Sequence, residues 1–538
     1  MRQRFGGLFG EVWGSLFFLS RLPFYLMRPL HHDRLPSVLA QRLEDRESAF
    51  AALVERIFSS PGRSPYKKLF SWAGVKRADV WALLGHDGVE GTLRLLLHEG
   101  IYLTPEEFKG RRPVRRGNHE ISVRPEMFLR SVSLSKFNIQ TSGSSGRRSP
   151  VPLTLDYVRS RAVDAYCDLR AREGLNWVQG LWGVPGSSAV VYLLEMAGLG
   201  LRPVRWFSQV DPASPGLHSR YLWSSRGLRA LSLLAGLPLP RPDHVSVWNP
   251  EPIITWLKTV HQEHAVPHLF TYVSSALRLA ETARRAGMDL SGAQVTVTGE
   301  PLTEIRARAI RGGGLTVYPR YGSAESGTIG YGCLKPGHAD EVHILTDRLA
   351  VVQTGRLRED IPADALFVTT LEPASPYLLF NVALGDGAVL SQRNCRCPLQ
   401  SLGWTVHLHT IRSYGKLTSE GMSLLCHDLE RILDETLPAT FGGRPGDYQL
   451  IEDTTEAGRP VVRLLVHPGV GGIDPQGLRS FFLDAVGRSG EAQKLMSLLW
   501  KDARTVQVEK RAPLQTASGK ILPWHRRIVT SEAARRGS

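Results

Sequence analysis

Apolar residues recur at helical spacing from the start of the chain: Phe5, Leu8, Phe9, Val12, Trp13, Leu16 and Phe17 share one face, with Arg4, Glu11 and Ser15 elsewhere around the wheel. The longest uncharged run there, Val12 to Ser20, is too short to span a bilayer, and no small-residue cleavage site follows clearly. Two readings remain for residues 1–30: a helix packed on the main domain, or an interfacial helix that sets Arg2, Arg4, Arg21 and Arg28 against anionic lipid. From about Leu39 to Leu103 the pattern is helical, with Leu93–Leu97 a buried segment, and Thr104-Pro105-Glu106-Glu107 is a capping box that starts another helix. Further on, a helix over Leu155–Glu173 alternates with short β-rich runs at Ala189–Leu193, Gln294–Thr298 and Leu315–Pro319, which predicts α/β layers. Past Asp386 the texture changes. Two strands, Tyr448–Glu452 and Val461–Val466, flank the polar turn Asp453–Arg459, and helices over Asp474–Val486 and Glu491–Leu499 follow. The chain is therefore expected to be α/β in class, with an amphipathic extension over 1–38, a large multi-layer domain over 39–411 and a small α+β domain over 412–538.

Composition narrows the class without choosing a function. The 538 residues are 42% hydrophobic and 22% charged, which describes a soluble globular protein with room for more than one core. Net charge is +15, from 66 Lys and Arg against 51 Asp and Glu, and it favours anionic partners: nucleotides, coenzyme phosphates, an acidic carrier protein or a membrane surface. No recognisable nucleic-acid module accompanies it, so nucleic acid is set aside as a partner. Five cysteines are too sparse for a disulfide scaffold and fit a reducing, cytoplasmic setting, with peripheral membrane contact if the first thirty residues bind lipid.

Candidate chemistry begins at Thr141-Ser142-Gly143-Ser144-Ser145-Gly146, between the strand-like Ser135–Gln140 and Arg147-Arg148. Four hydroxyls and two glycines cannot build a core, but they offer exposed N–H groups, small profile and hydroxyl donors to a polyphosphate. No lysine follows in the Walker A position, so this is a different phosphate loop, or else a plain serine/glycine turn. Downstream come Thr298-Gly299-Glu300-Pro301, Tyr321-Gly322-Ser323-Ala324-Glu325, Gly385-Asp386, Arg412, Gly421 to Glu430 and Gly519-Lys520. Each motif alone is weak. As an ordered set they resemble the acyl-adenylate-forming, AMP-binding superfamily, most closely its phenylacetate–CoA ligase-like branch, from about Ser64 to about Arg527.

The resemblance implies a large adenylation domain carrying a small mobile C-terminal lid. It implies an adenylate-forming acid–thiol ligase of the acyl-CoA synthetase type: a carboxylic acid attacks ATP to give acyl-AMP, and the acyl group passes to a thiol, with CoA the default. Thr141–Gly146, Gly299, Glu300, Pro301, Tyr321, Gly322, Ser323, Asp386 and Arg412 would bind ATP. Glu325 would hold Mg²⁺, a hard cation that takes oxygen ligands. Lys520 would meet the carboxylate and the α-phosphate, and Arg504, Lys510, Arg511, Arg526 and Arg527 would favour the phosphates of CoA. Aromatic acids have first claim as substrates and fatty acids second. Departures stand in the same motifs: Ala324 where threonine is usual, Asn381-Val382-Ala383-Leu384 before Asp386, and Tyr414-Gly415 in place of an acidic hinge pair. The altered hinge keeps a rival open, transfer to a carrier protein, a protein cysteine or an amine; a degenerate nucleotide-binding scaffold is the non-enzymatic alternative. Separately, Cys333, His338, Cys395 and Cys397 supply three sulfurs and one imidazole, a set suited to a closed structural Zn²⁺ site, with His343 as substitute if His338 points away. Free core cysteines are the plainer alternative.

Overall fold

The computed structural model describes residues 14, 17–60, 64–130, 137–140, 150–184, 186–211, 219–353, 355, 357–358, 361–414, 416–419, 422–425, 429, 431–455, 458–488, 491–514 and 523–526. Twelve strands form the main sheet. In chain order they are β1 (Val178–Gly183), β2 (Arg205–Ser208), β3 (Pro242–His244), β4 (Pro267–Tyr272), β5 (Gln294–Thr298), β6 (Thr316–Ser323), β7 (Gly327–Gly332), β8 (Val342–Ile344), β9 (Leu349–Val352), β10 (Ala365–Thr370), β11 (Val382–Gln392) and β12 (Val406–Ser413). Their spatial order is β9-β10-β11-β12-β8-β7-β6-β5-β4-β1-β2-β3. Strands β1 to β6 are mutually parallel wherever they pair, and every pairing from β7 to β12 is antiparallel. The sheet thus changes character at β6, which is parallel to β5 on one side and antiparallel to β7 on the other.

Helices cover the parallel half on both faces, as parallel strands require. One flank carries α1 (Leu155–Ala171) and α2 (Ser187–Gly198); the other carries α3 (Glu251–Gln262), α4 (Val273–Arg285) and α5 (Glu304–Arg311). Sequence patterning predicts a strand at Ala189–Leu193, but these residues lie inside α2. The reason is burial: every position from Ala189 to Leu199 is buried, so the helix has no polar face from which a 3.6-residue period could be read. The capping box forms as expected, with Thr104 Oγ1 accepting from Glu107 N at 3.2 Å and Glu107 Oε2 accepting from Thr104 N at 3.0 Å.

Four helices, Leu35–Glu44, Arg46–Ser59, Pro65–Trp72 and Arg77–His98, account for the helical N-terminal region. Arg42 ties the first of them to α1 through Asp164 at 3.2 Å and Ser160 Oγ at 2.8 Å. Of the stripe that runs from Phe5 to Phe17, only Phe17 falls within the described residues. The helical stretch 17–26 is packed on the main domain, with Phe18, Leu22 and Leu26 fully buried. No described helix is long and apolar enough to cross a membrane.

A second sheet of four strands lies near the C-terminus: Tyr448–Thr454, Pro460–Val466, Val506–Lys510 and Trp524–Arg526. Helices Pro475–Arg488 and Glu491–Asp502 accompany it, so this is a separate small α+β unit. It seats on the α3–α5 flank and shares its apolar core. Polar contacts fasten the seam: Ser246 Oγ donates to Asp502 at 2.6 Å, Arg306 Nε to the Gly458 carbonyl at 3.1 Å, Arg459 pairs with Glu281, and Arg504 lies 4.6 Å from the centre of the Trp248 ring. Strand β12 runs through Arg412 to Ser413, so the main sheet continues one residue past that arginine.

Candidate active site and metal centre

The cleft sits where the sheet changes from parallel to antiparallel. It lies beyond the carboxyl ends of β5 and β6, the end of the parallel strands at which open α/β sheets bind ligands. Its floor and walls combine Gly299, Glu300 and Pro301 after β5, Tyr321 and Gly322 at the end of β6, and Asp386 of β11. These residues come from three motifs spread over nearly ninety positions of sequence, and the topology brings them to one place.

Local chemistry fixes each of them. Gly299 has φ +80°, a left-handed conformation that lets the chain turn sharply off β5. Glu300 then accepts the Ser274 N–H at 2.7 Å, placing a carboxylate at the N-terminal end of α4, where the helix dipole favours it. Any side chain at Gly322 would meet the Gly327 carbonyl oxygen at 2.4 Å, so only glycine fits between β6 and the returning β7. Ser323 pins that turn, its Oγ accepting from Ser326 N at 3.0 Å. Tyr321 donates to Asp386 Oδ2 at 3.1 Å, and Ser413 Oγ donates to Asp386 Oδ1 at 2.5 Å. Burial, and then the Asp386 carboxylate, hold the Tyr321 hydroxyl well above its ordinary pKa, so it stays a donor.

Asp340 is a site residue that sequence reasoning missed. It lines the same cleft and accepts from Thr410 N at 2.9 Å, Ile411 N at 2.8 Å and Arg412 Nη1 at 2.8 Å. Thr410 has φ +55°, unusual for a β-branched residue, at an irregularity in the β11–β12 pairing. One carboxylate therefore holds a strained backbone step and the arginine two residues on. Nothing in the segment around Asp340, Gly337-His338-Ala339-Asp340, marks it as nucleotide-related. Asp340→Ala is expected to lower stability by about 2 kcal/mol, because two part-buried amides lose their acceptor; chemical denaturation would measure it, and an unchanged midpoint would show that the strand end needs no such support.

Other predicted residues stand apart from the cleft. Glu325 is buried on the β6–β7 turn and does not line it. Thr141 to Gly146, Gly421, Glu430 and Lys520 lie outside the described residues; the hairpin Phe137–Gln140 with Pro150–Leu153 brackets the serine-rich loop.

A second cluster lies on the antiparallel half of the sheet. Cys333 follows β7, His343 is on β8, and Cys395 and Cys397 are on the β11–β12 loop; their ligand atoms all lie within 4.8 Å of one another, and all four residues are buried. Arg396, at φ +52°, bends the chain between the two sulfurs so that both face inward. His343 Nε2 is 3.1 Å from Cys397 Sγ, while its Nδ1 is 2.6 Å from the Trp404 carbonyl oxygen. An Nδ1–H donated to that carbonyl leaves Nε2 as the free lone pair, the arrangement a metal-binding histidine uses. His338 does not take part. The expectation that it would is corrected by the turn: Gly337 and His338 give their N–H groups to Glu341 Oε2, and the exposed His338 ring stacks on His409 at 4.0 Å. Glu341 Oε1 also accepts from Arg393 at 2.6 Å, and Arg393 Nη2 lies 3.5 Å from Cys333 Sγ. The hydrogen bond between the Cys333 and Cys397 thiols lowers the pKa of Cys397 and raises that of Cys333, so one sulfur of the pair has thiolate character.

No family model and no curated protein matches the chain. Solved structures do. One is 2-hydroxyisobutyryl-CoA ligase in an open conformation with 2-HIB-AMP and CoA, at 14% identity and TM-score 0.41, covering 85% of this chain and 91% of that one. Another is o-succinylbenzoate CoA synthetase from Bacillus subtilis, at 14% identity and TM-score 0.39 over 72% and 68% of the two chains. A third is an amide bond synthetase from Marinactinospora thermotolerans, at 14% identity and TM-score 0.39 over 88% and 92%. At these TM-scores the likeness carries no argument by itself, and function is argued from the residues of the cleft.

Proposed function

We propose that the chain is an ATP-dependent enzyme that activates a carboxylic acid as acyl-AMP and hands the acyl group to a thiol, with CoA as the preferred acceptor. The observation that carries this reading is the convergence of Gly299-Glu300-Pro301, Tyr321-Gly322 and Asp386 on one cleft beyond the carboxyl ends of β5 and β6. Asp386 would accept the ribose hydroxyls of ATP, as a carboxylate with two acceptor oxygens can. Tyr321 would lie against the adenine and acyl groups and keep Asp386 oriented. Ser142, Ser144 and Ser145 would donate to the phosphates, and Glu325, buried on the β6–β7 turn outside the cleft, would have to turn toward them to hold Mg²⁺. A carboxylate has a poor leaving group, and AMP supplies a good one. The chain's share of the work is to align two anions and offset their charge.

Pyrophosphate release across a panel of aromatic and aliphatic carboxylic acids tests the reading; a complete absence of acid-dependent release would leave only a nucleotide-binding scaffold. The phosphate loop has its own test. Ser144→Ala with Ser145→Ala is expected to raise the KM for ATP about tenfold or more, the loss of two hydrogen bonds to charged oxygens, without lowering the melting temperature. Wild-type kinetics in that double variant would reduce the loop to a turn.

The acceptor remains the finer question. CoA, a carrier-protein thiol, a protein cysteine and an amine are separated by supplying acyl-adenylate with each in turn. We further propose that Cys333, His343, Cys395 and Cys397 hold one structural zinc ion. Three sulfurs and an oriented imidazole complete a tetrahedral set with no open position, so the metal would brace β7, β8 and the β11–β12 loop behind the cleft and take no part in the reaction.

A further inference from the structure

The helical stretch 17–26 has two apolar faces, and folding explains only one. Phe18, Leu22, Tyr25 and Leu26 are buried, the Tyr25 hydroxyl donates to the Leu194 carbonyl of α2 at 2.8 Å, and Leu30 N donates to the Gly198 carbonyl at 2.8 Å. That face is fixed on the main domain. Opposite it, Phe17, Phe24 and Met27 are 44%, 63% and 53% exposed, interleaved with exposed Ser20, Arg21 and Arg28. At about 100° per residue, positions 17, 21 and 24 fall within about 60° of one another, and Met27 and Arg28 follow on the turn that ends the helix. An ordinary surface helix turns charged and polar residues to water, whereas this one turns out two phenylalanines, with a methionine exposed on the turn after it. Phe17, Phe24 and Met27 are three of the twelve large apolar side chains that are exposed among the described residues, and they fall within eleven positions of the chain.

We propose that this outer face seats the protein on an anionic lipid surface. Phe17, Phe24 and Met27 enter the boundary between headgroups and acyl chains, and Arg21 and Arg28 meet lipid phosphates. Arg21 already lies over the Phe17 ring, 5.4 Å from its centre, which lets the cation stay at headgroup level while the ring goes deeper. The charged residues from 17 to 34 are Arg21, Arg28 and Arg34 against Asp33, all exposed. This balance selects lipid over a second copy of the chain: a two-fold contact through this face would set Arg21 and Arg28 against their own equivalents, whereas an acidic leaflet offers the opposite charge. The face takes up the interfacial alternative for residues 1–30, keeping Phe17, Arg21 and Arg28 and adding Phe24 and Met27, and it neither uses nor requires the nucleotide cleft.

The test uses the full-length chain and extruded vesicles. Sedimentation with phosphatidylcholine vesicles containing about 30 mol % phosphatidylserine is expected, and none with phosphatidylcholine alone or at high salt. Phe24→Glu with Met27→Glu should cut the bound fraction about tenfold while circular dichroism and melting temperature stay unchanged, since both side chains are exposed. Wild-type protein that remains in the supernatant with both vesicle types overturns the proposal. So does a wild-type dimer in solution that the double variant converts to monomer, which would assign the face to a second copy. Pyrophosphate release should be the same in both proteins, so failure here leaves the adenylation reading untouched.

Discussion

Lys520→Ala is expected to reduce acyl-AMP formation by about two to three orders of magnitude, the scale on which a preorganised electrostatic group acts. The sequence Gln515-Thr516-Ala517-Ser518-Gly519-Lys520-Ile521 resembles the Thr-x-x-Gly-Lys that ends the adenylate-forming enzymes. The chemistry asks for a compact cation there, because two anions must meet and charge grows on the phosphate in the transition state. Lysine, a point charge on a flexible stem, can be delivered by a small domain and withdrawn by it. Polar contacts such as Arg459 on Glu281 and Ser246 on Asp502 fasten the small unit to the α3–α5 flank beside a shared apolar core, so a lid movement would have to exchange both. Acyl transfer from supplied acyl-adenylate should therefore survive in Lys520→Ala far better than adenylation does. Stopped-flow or quenched measurement of each half-reaction separates the outcomes: equal loss in both would contradict an alternating lid, and no loss in either would make Lys520 a tail charge.

Replacement of Cys397 by serine is expected to release the zinc and to cost more than about 4 kcal/mol, a loss typical only of a few causes, a metal site among them. The three remaining ligand atoms of a buried set that lies within 4.8 Å would then face one another and a serine hydroxyl without the ion that reconciles them. Elemental analysis should find about one zinc per chain in the wild type and none in Cys397→Ser, and a chelator should lower the melting temperature of the wild type alone, because structural zinc binding is coupled to folding. His338→Ala should leave both measurements unchanged, since that ring stacks on His409 at the surface. A metal-free wild type with the same melting temperature would return the three cysteines to the ordinary core.

Much of the architecture is legible in the chain. The strand at Gln294–Thr298 is identical in pattern and in structure, because a β-branched run ends on the glycine that must turn. The two strands and the helices of the small unit are equally plain, since the apolar runs Tyr448–Glu452 and Val461–Val466 are bounded by the polar turn Asp453–Arg459, although both strands are buried on both faces. Helix α2 was not legible: it is buried on all sides, and a helix without a polar face loses the period that identifies it.

The sequence by itself determined which chemistries were on offer: hydroxyls and glycines for a polyphosphate, a Gly-Asp for a ribose, three thiols and a choice of two imidazoles for a metal. Only the tertiary structure decided which residues meet. Asp340 joins the cleft because β8 and β12 are neighbours in the sheet, a pairing across more than sixty residues that no local pattern records. His343 rather than His338 faces the sulfurs because a strand directs its side chains by parity, whereas the turn at Gly337 directs its own by the hydrogen bonds it makes to Glu341. Side-chain direction at a turn is set by partners distant in sequence, so residue type could propose the ligands and only the packed fold could choose between them.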